Sequence, residues 1–238
     1  MNRDVVKYMA MLAMLLNHIA TIFLAPDTAL HQIFIDLGYF TAPVMCYFLV
    51  EGYRYTRSKR QYGQRLLLFA AVSQIPFDMA FAKEGILQFQ GFNMIFTLFL
   101  CFVLLESQER ISNVSARGAA AAGLIVLSSF GDWGVLAPVY TLLFMQAYGS
   151  GEQTKKAFCI ATGLFGLLNF MSRAETLSAA PNLMITAGNM AGVALAGICI
   201  VYFYNGKRME KGKTFSKWFF YGFYPAHLLI LGLIRIAA

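Results

Sequence analysis

The chain has 238 residues, 58% of them hydrophobic and 13% charged, with a net charge of +7. Its mean hydropathy of +0.59 leaves too little polar surface to coat a soluble domain of this size, so most of its solvent is lipid. A bilayer-spanning helix takes about 20 largely apolar residues, so the length is filled by a transmembrane helix bundle with short loops, expected as one domain over 1–238.

In chain order, apolar windows separated by polar punctuation place helices near residues 5 to 24, 32 to 53, 63 to 82, 93 to 108, 115 to 130, 132 to 148, 155 to 172, 182 to 204 and 216 to 237. The opening stretch, MNRDVVKYMAMLAMLLNHIATIFL, has the basic end and apolar run of a signal peptide. It is too long for one, contains His18 and lacks a small-x-small site before Pro26, so it reads as a retained first helix. The fifth and sixth windows are divided only by the short turn SSFGDWG.

Basic residues test this count independently, because cytoplasmic loops collect Lys and Arg. With the N-terminus inside, the inner side holds Arg3 and Lys7; Arg54, Arg57, Lys59, Arg60 and Arg65; Arg110 and Arg117; Lys155 and Lys156; Lys207, Arg208, Lys211, Lys213 and Lys217. The outer side keeps only Lys83, Arg173 and Arg235, so nine spans with the C-terminus outside preserve the alternation. The net charge is thereby explained by topology, and nucleic-acid binding is not expected. Two inner loops exceed what topology requires: YRYTRSKRQYGQR at 53 to 65 and NGKRMEKGKTFSK at 205 to 217 each carry five cations. They would attract a polyanionic cytosolic ligand such as the phosphates of a nucleotide cofactor.

An ionisable group inside a span costs about 2.5 to 3.5 kcal/mol on insertion scales, so each one asks for a functional reason or a structural partner. At 1.5 Å rise per residue, His18, Asp78 and Asp36 fall at a similar level, roughly 20 Å from the inner surface, with His227 near the midplane. Asn93 and Asp132 stand at outer helix ends. The pattern predicts a polar chamber in the outer half of the bundle, with histidines facing carboxylates, suited to proton transfer. The structural alternatives are hydrogen-bonding glue between helices for the histidines, solvation for Asp36 and Asp132, a helix cap for Asp78 after Pro76, and a salt bridge for Glu51 beside Arg54. Pro43, Pro76, Pro138 and Pro225 are each expected to interrupt a span, Pro225 steering His227 inward. The four cysteines, Cys46, Cys101, Cys159 and Cys199, lie in apolar stretches without metal-ligand spacing, so they read as core residues and no metal is expected.

The stretches LLNHIATIF (15–23), LGYFTAPVMCYFLVEGYRYTRSKRQYGQRLLLFAAVSQIPFD (37–78), FNMIFTL (92–98), DWGVLAP (132–138) and FFYGFYPAHLLIL (219–231) resemble the TraX family, while 150 to 215 carries little of the likeness. The resemblance implies a multi-pass protein of the bacterial cytoplasmic membrane, similar to integral-membrane acyltransferases, that acetylates pilin N-termini with acetyl-CoA as donor. The acceptor class left open is a peptide N-terminus, a glycan or a small molecule, with membrane lipids as the other partner. Two positions depart from the family pattern: Asn17 stands where Asp usually precedes the histidine, and Tyr39 where Arg usually follows the glycine. An Asn fixes an imidazole tautomer without charge stabilisation, so His18 would need its carboxylate from Asp36 or Asp78.

The resulting expectation is an acyltransferase. Arg54, Arg57, Lys59, Arg60 and Arg65, with Lys207, Arg208 and Lys213, would hold the donor phosphates. His227, or else His18, would be the general base, and Asn93 or Tyr224 the oxyanion donor. The rival reading is a small proton-coupled transporter, since intramembrane His and Asp with broken helices also mark carriers. No internal repeat is visible to support it. A scaffold without chemistry would leave the buried ionisable residues unexplained.

Overall fold

A computed structural model describes residues 1–237, and the side chains of all of these except Lys213. Among the described residues the regular elements are helices, in order α1 (Arg3–Phe23), α2 (Ala29–Gly38), α3 (Thr41–Tyr55), α4 (Lys59–Phe81), α5 (Met94–Arg110), α6 (Val114–Ser128), α7 (Leu136–Ala147), α8 (Gly151–Ser172), α9 (Ala179–Ile198) and α10 (Lys213–Ala237). A π-helical turn, Cys199–Phe203, continues α9. Every apolar window of the sequence is helical here, the second being split between α2 and α3.

Short polar side chains start these helices where the sequence supplies them. Asn2, Thr28, Ser58, Asn93, Asn113 and Ser150 each stand at an N-cap and accept from a backbone N–H two or three residues on, meeting donors that the first turn leaves unpaired. The prolines divide by position. Pro43 and Pro138 sit in the first turns of α3 and α7, where a missing N–H goes unnoticed, so they begin helices rather than interrupt them. Pro76 and Pro225 do lie inside α4 and α10.

The chain forms two compact units. Unit 1 comprises Met1–Met45 and Ala147–Lys213; unit 2 comprises Cys46–Gln146 and the chain from Thr214 onward. In unit 1, α2 packs on both α1 and α9, and α8 packs on α9. The approach is close because glycine faces the partner: a Cβ at Gly38 would meet Asn17 at 2.3 Å, and one at Gly192 would meet the Asp36 carbonyl oxygen at 2.0 Å. Val6, Ala10, Phe158, Ala161, Phe165 and Val193 are buried there. Thr41 Oγ1 donates to the Ala10 carbonyl at 2.9 Å. The amino end runs beside the 203–209 loop: the Met1 ammonium donates to the Phe203 carbonyl, Arg3 N to Lys207 O at 2.8 Å, and Met209 N to Asp4 Oδ2 at 2.8 Å.

In unit 2, α5 packs on α4 and α6. Tyr53 and Tyr62 set their rings edge-on to Phe102, 5.6 and 5.5 Å between centroids, and Gly63 leaves room for that Phe. Leu104, Leu105, Tyr140, Phe144 and Leu228 complete the buried core.

The outward face of the helices is apolar. Leu12 (58% exposed), Ile75 (62%), Val126 (65%) and Met184 (77%) would be an aggregation hazard in water and are ordinary against acyl chains. Among the described residues, four helical stretches are long and apolar enough to cross a membrane, Arg3–Phe23, Ala29–Tyr55 (α2 with α3), Ala179–Phe203 and Thr214–Ala237; Val114–Ser128 and Leu136–Ala147 are shorter and apolar.

Candidate functional site

Three of the five expected catalytic residues, Asp78, Asn93 and His227, lie in unit 2, and His18 and Asp36 lie in unit 1. In unit 2 the site grows from the connection between α4 and α5. Gln74, one turn before Asp78, donates to Asp78 Oδ1 at 3.1 Å and to the Gly91 carbonyl at 2.8 Å. The same Asp78 oxygen accepts from Gln90 N at 3.1 Å, so the carboxylate fastens the returning loop to α4.

Asn93 is fully committed. Its Oδ1 caps α5 by accepting from Ile95 N and Phe96 N at 3.0 and 3.3 Å, and its Nδ2 donates to Ala70 O and Gln74 Oε1 at 2.8 and 2.9 Å. An amide offers two donors and one oxygen, so the role shown is structural.

Tyr224 is placed differently. Its hydroxyl oxygen accepts from Met94 N at 3.2 Å, which leaves its own O–H to donate. Asp132 also belongs to unit 2. It is carried by an unusual turn in which Trp133 (φ 56°) and Val135 (φ 63°) hold left-handed backbone. The turn is tied to the start of α5: Phe92 N donates to Phe130 O at 2.9 Å, Asp132 N to Phe92 O at 2.7 Å, and Thr97 Oγ1 to Asp132 O at 2.8 Å.

His227 lies on α10 one turn beyond Phe223. Its ring stacks on Phe223 with centroids 4.8 Å apart and stands edge-on to Tyr224 at 5.7 Å. Its Nδ1 lies 2.8 Å from the Phe223 carbonyl. A carbonyl only accepts, so Nδ1 carries the proton and Nε2 is the basic nitrogen of the neutral ring.

In unit 1, His18 is buried on α1. Asp36 accepts at Oδ1 from Gln32 Nε2 at 2.8 Å, within a polar group that also includes Asn189 and Arg173.

The expected phosphate ligands are not equivalent. Lys59 is ion-paired with Glu109 and donates to Tyr53 Oη at 2.9 Å, while Tyr53 donates to Glu106 at 2.7 Å. Arg54 donates to the Met145 carbonyl at 3.1 Å. Arg57 and Arg60 are exposed, and Arg65 lies over the Tyr62 ring at 5.8 Å with a buried Nε that has no hydrogen-bond partner among the described residues. Lys207 and Arg208 are exposed on the unit 1 loop; the Lys213 side chain lies outside the described residues. Sequence reasoning missed Gln74, although its position four residues before Asp78 in QIPFD is a helical hydrogen-bonding spacing.

An all-helical chain with a lipid-compatible surface and polar groups gathered at helix ends is an integral membrane protein. The family model for "TraX protein" matches residues 2–235, and the chain belongs to that family. It is 30% identical over 232 residues to "Probable fimbrial assembly protein FimC, serogroup H1" of Dichelobacter nodosus, covering 94% of this chain and 92% of that protein. No solved structure matches the chain.

Proposed function

We propose that this protein is an acetyltransferase of the bacterial inner membrane, with nine spans and a cytoplasmic N-terminus, that acts in pilus or fimbrial assembly. It would take acetyl-CoA from the cytosol and acetylate an amine or hydroxyl. The family supports the setting, since the relative's name places that protein in fimbrial assembly. The observation that carries the chemistry is His227, whose Nδ1–H is anchored on the Phe223 carbonyl so that Nε2 is left as the basic nitrogen, with the ring edge-on to that of Tyr224.

In the reaction, the acceptor N–H or O–H gives its proton to His227 Nε2 while its heavy atom bonds to the thioester carbonyl carbon. The oxyanion that forms takes a hydrogen bond from Tyr224. As it collapses the C–S bond breaks, and the coenzyme sulfur leaves with the proton held by the imidazolium. Donor phosphates suit Arg57, Arg60 and Arg65: the first two are uncommitted cations and the third has an orphaned Nε.

The test is acetyl-CoA-dependent release of free thiol by detergent-purified protein given an amine-terminated pilin-type peptide. Turnover that falls about 10²- to 10⁴-fold in His227→Gln, with acetyl-CoA binding retained, supports the reading. Wild-type protein that neither binds acetyl-CoA in a thermal-shift assay nor releases thiol sinks it.

A further inference from the structure

Unit 1 carries a second polar group that the acetyl-transfer reading does not use. Asp36 on α2 and Arg173, directly after α8, are both half-buried, and among the described residues neither forms an ion pair. A neutral amide stands between them. With its amide oriented toward the two charges, Asn189 donates to Asp36 Oδ1 at 2.7 Å and accepts from Arg173 Nη2 at 2.8 Å; in the opposite orientation its Oδ1 accepts from Gln32 Nε2 at 3.1 Å. Two hydrogen bonds and one amide put the opposite charges at most about 8 Å apart.

Each charge is held in place and left incomplete. Asp36 Oδ1 also accepts from Gln32, but Oδ2 takes no hydrogen bond among the described residues; it stands over Gly188, where a Cβ would lie only 2.5 Å from it. Arg173 donates to Asn169 Oδ1 at 3.2 Å and to the Asn169 carbonyl at 3.3 Å, and a guanidinium with five N–H groups has donors to spare. If the group served helix packing alone, a direct ion pair would neutralise both charges at less desolvation cost. Held apart, they complement a ligand that carries a cation and an anion a few ångströms from each other.

The surroundings name that ligand. Arg173 directly follows α8, and Asp36 lies roughly 10 Å along α2 from Ala29 at 1.5 Å per residue. Exposed Ile33 and Leu37 on α2, Leu167 and Met171 on α8 and Met184 on α9 offer apolar surface on the same three helices. We infer that Asp36, Asn189 and Arg173 form a binding site for the headgroup of phosphatidylethanolamine, with the ammonium on Asp36 Oδ2, the phosphate on Arg173 and the acyl chains along the exposed apolar side chains.

The experiment measures binding of short-chain phosphatidylethanolamine, phosphatidylcholine and phosphatidylglycerol to the purified full chain by native mass spectrometry. The expected result is an ethanolamine lipid bound at least about tenfold more tightly than either other. The quaternary ammonium of choline has no N–H for Asp36, and glycerol has no cation. Asp36→Asn should erase the preference, and Arg173→Gln should weaken the binding of all three lipids, whose phosphate is common; if a variant does not fold, the three-lipid comparison on the wild type decides alone. Equal affinity for the three lipids, a preference that survives in folded Asp36→Asn, unchanged affinities in folded Arg173→Gln, or free ethanolamine phosphate binding as tightly as the lipid would overturn the assignment.

Discussion

Lys59, the first residue of α4, is ion-paired with Glu109 near the end of α5, and Tyr53 Oη lies 2.9 Å from both the ammonium and the carboxylate. The lysine holds the Glu109 carboxyl below its ordinary value of 4.5. A depressed folded-state value means that the pair stabilises the protein above the ordinary carboxylate range and loses that contribution as pH falls through the folded value. Glu109 is half-exposed, so the contribution is at most about 1 kcal/mol. The melting temperature of wild type should exceed that of Glu109→Gln near neutral pH and converge with it in acid; a gap independent of pH would contradict the assignment.

On the proposed function, the same pair separates the cations of the 53–65 loop. If Lys59 is held by Glu109 while Arg57 and Arg60 are uncommitted, Lys59→Gln should leave the dissociation constant of acetyl-CoA within a few-fold of wild type. Neutralising Arg57 and Arg60 together should raise it by roughly tenfold or more, as expected for charge-assisted phosphate contacts. Isothermal titration of the three proteins in one detergent compares them directly, and a Lys59→Gln loss as large as that of the double variant would contradict the ranking.

Glycines at close helix contacts predict opposite signs. A Cβ at Gly192 would lie 2.0 Å from the Asp36 carbonyl oxygen, whereas one at Gly163 meets nothing within 4 Å. Gly192→Ala should therefore force α2 and α9 apart and lower the melting temperature by several degrees. Gly163→Ala should be neutral, or raise stability by up to about 1 kcal/mol through helix propensity.

Asn93 should behave as a cap and buried bridge. Asn93→Ala removes the acceptor for Ile95 N and Phe96 N and should cost about 0.5 to 2 kcal/mol for the cap, plus the loss of the two Nδ2 donations to Gln74 and Ala70; Gln74 Oε1 keeps its bond from the backbone N–H of residue 93. Asn93→Asp keeps the cap but loses both donors, so thermal unfolding should rank it between Ala and wild type.

The helices were legible because spans of about 20 apolar residues bounded by cations leave few alternatives, and every window fell on a helix. The break at Tyr39 and Phe40 was not, since the surrounding residues are as apolar as those of a span; Pro43, expected to interrupt that span, was its local signal. Within the candidate site, charged residues were easy to notice and their commitments were not. Nothing near Lys59 in sequence announces Glu109, fifty residues on, and Arg173 looked like a lone outer-loop cation because Asn189 reaches it only through the packing of α8 on α9.

Trp133 and Val135 hold left-handed backbone in the turn that carries Asp132, and Val135 is β-branched, the side-chain class least suited to it. Such a conformation costs roughly 1–2 kcal/mol per non-glycine residue, and it is maintained here by Val135 N donating to Ser128 Oγ at 3.0 Å and by the ties to Phe92. A glycine at position 135 would relax the turn without breaking those backbone ties. It is therefore the first substitution to try for a hardier sample for crystallisation or cryo-microscopy, and a sample that gained heat tolerance while losing turnover would reveal that selection has favoured reactivity over robustness at this corner.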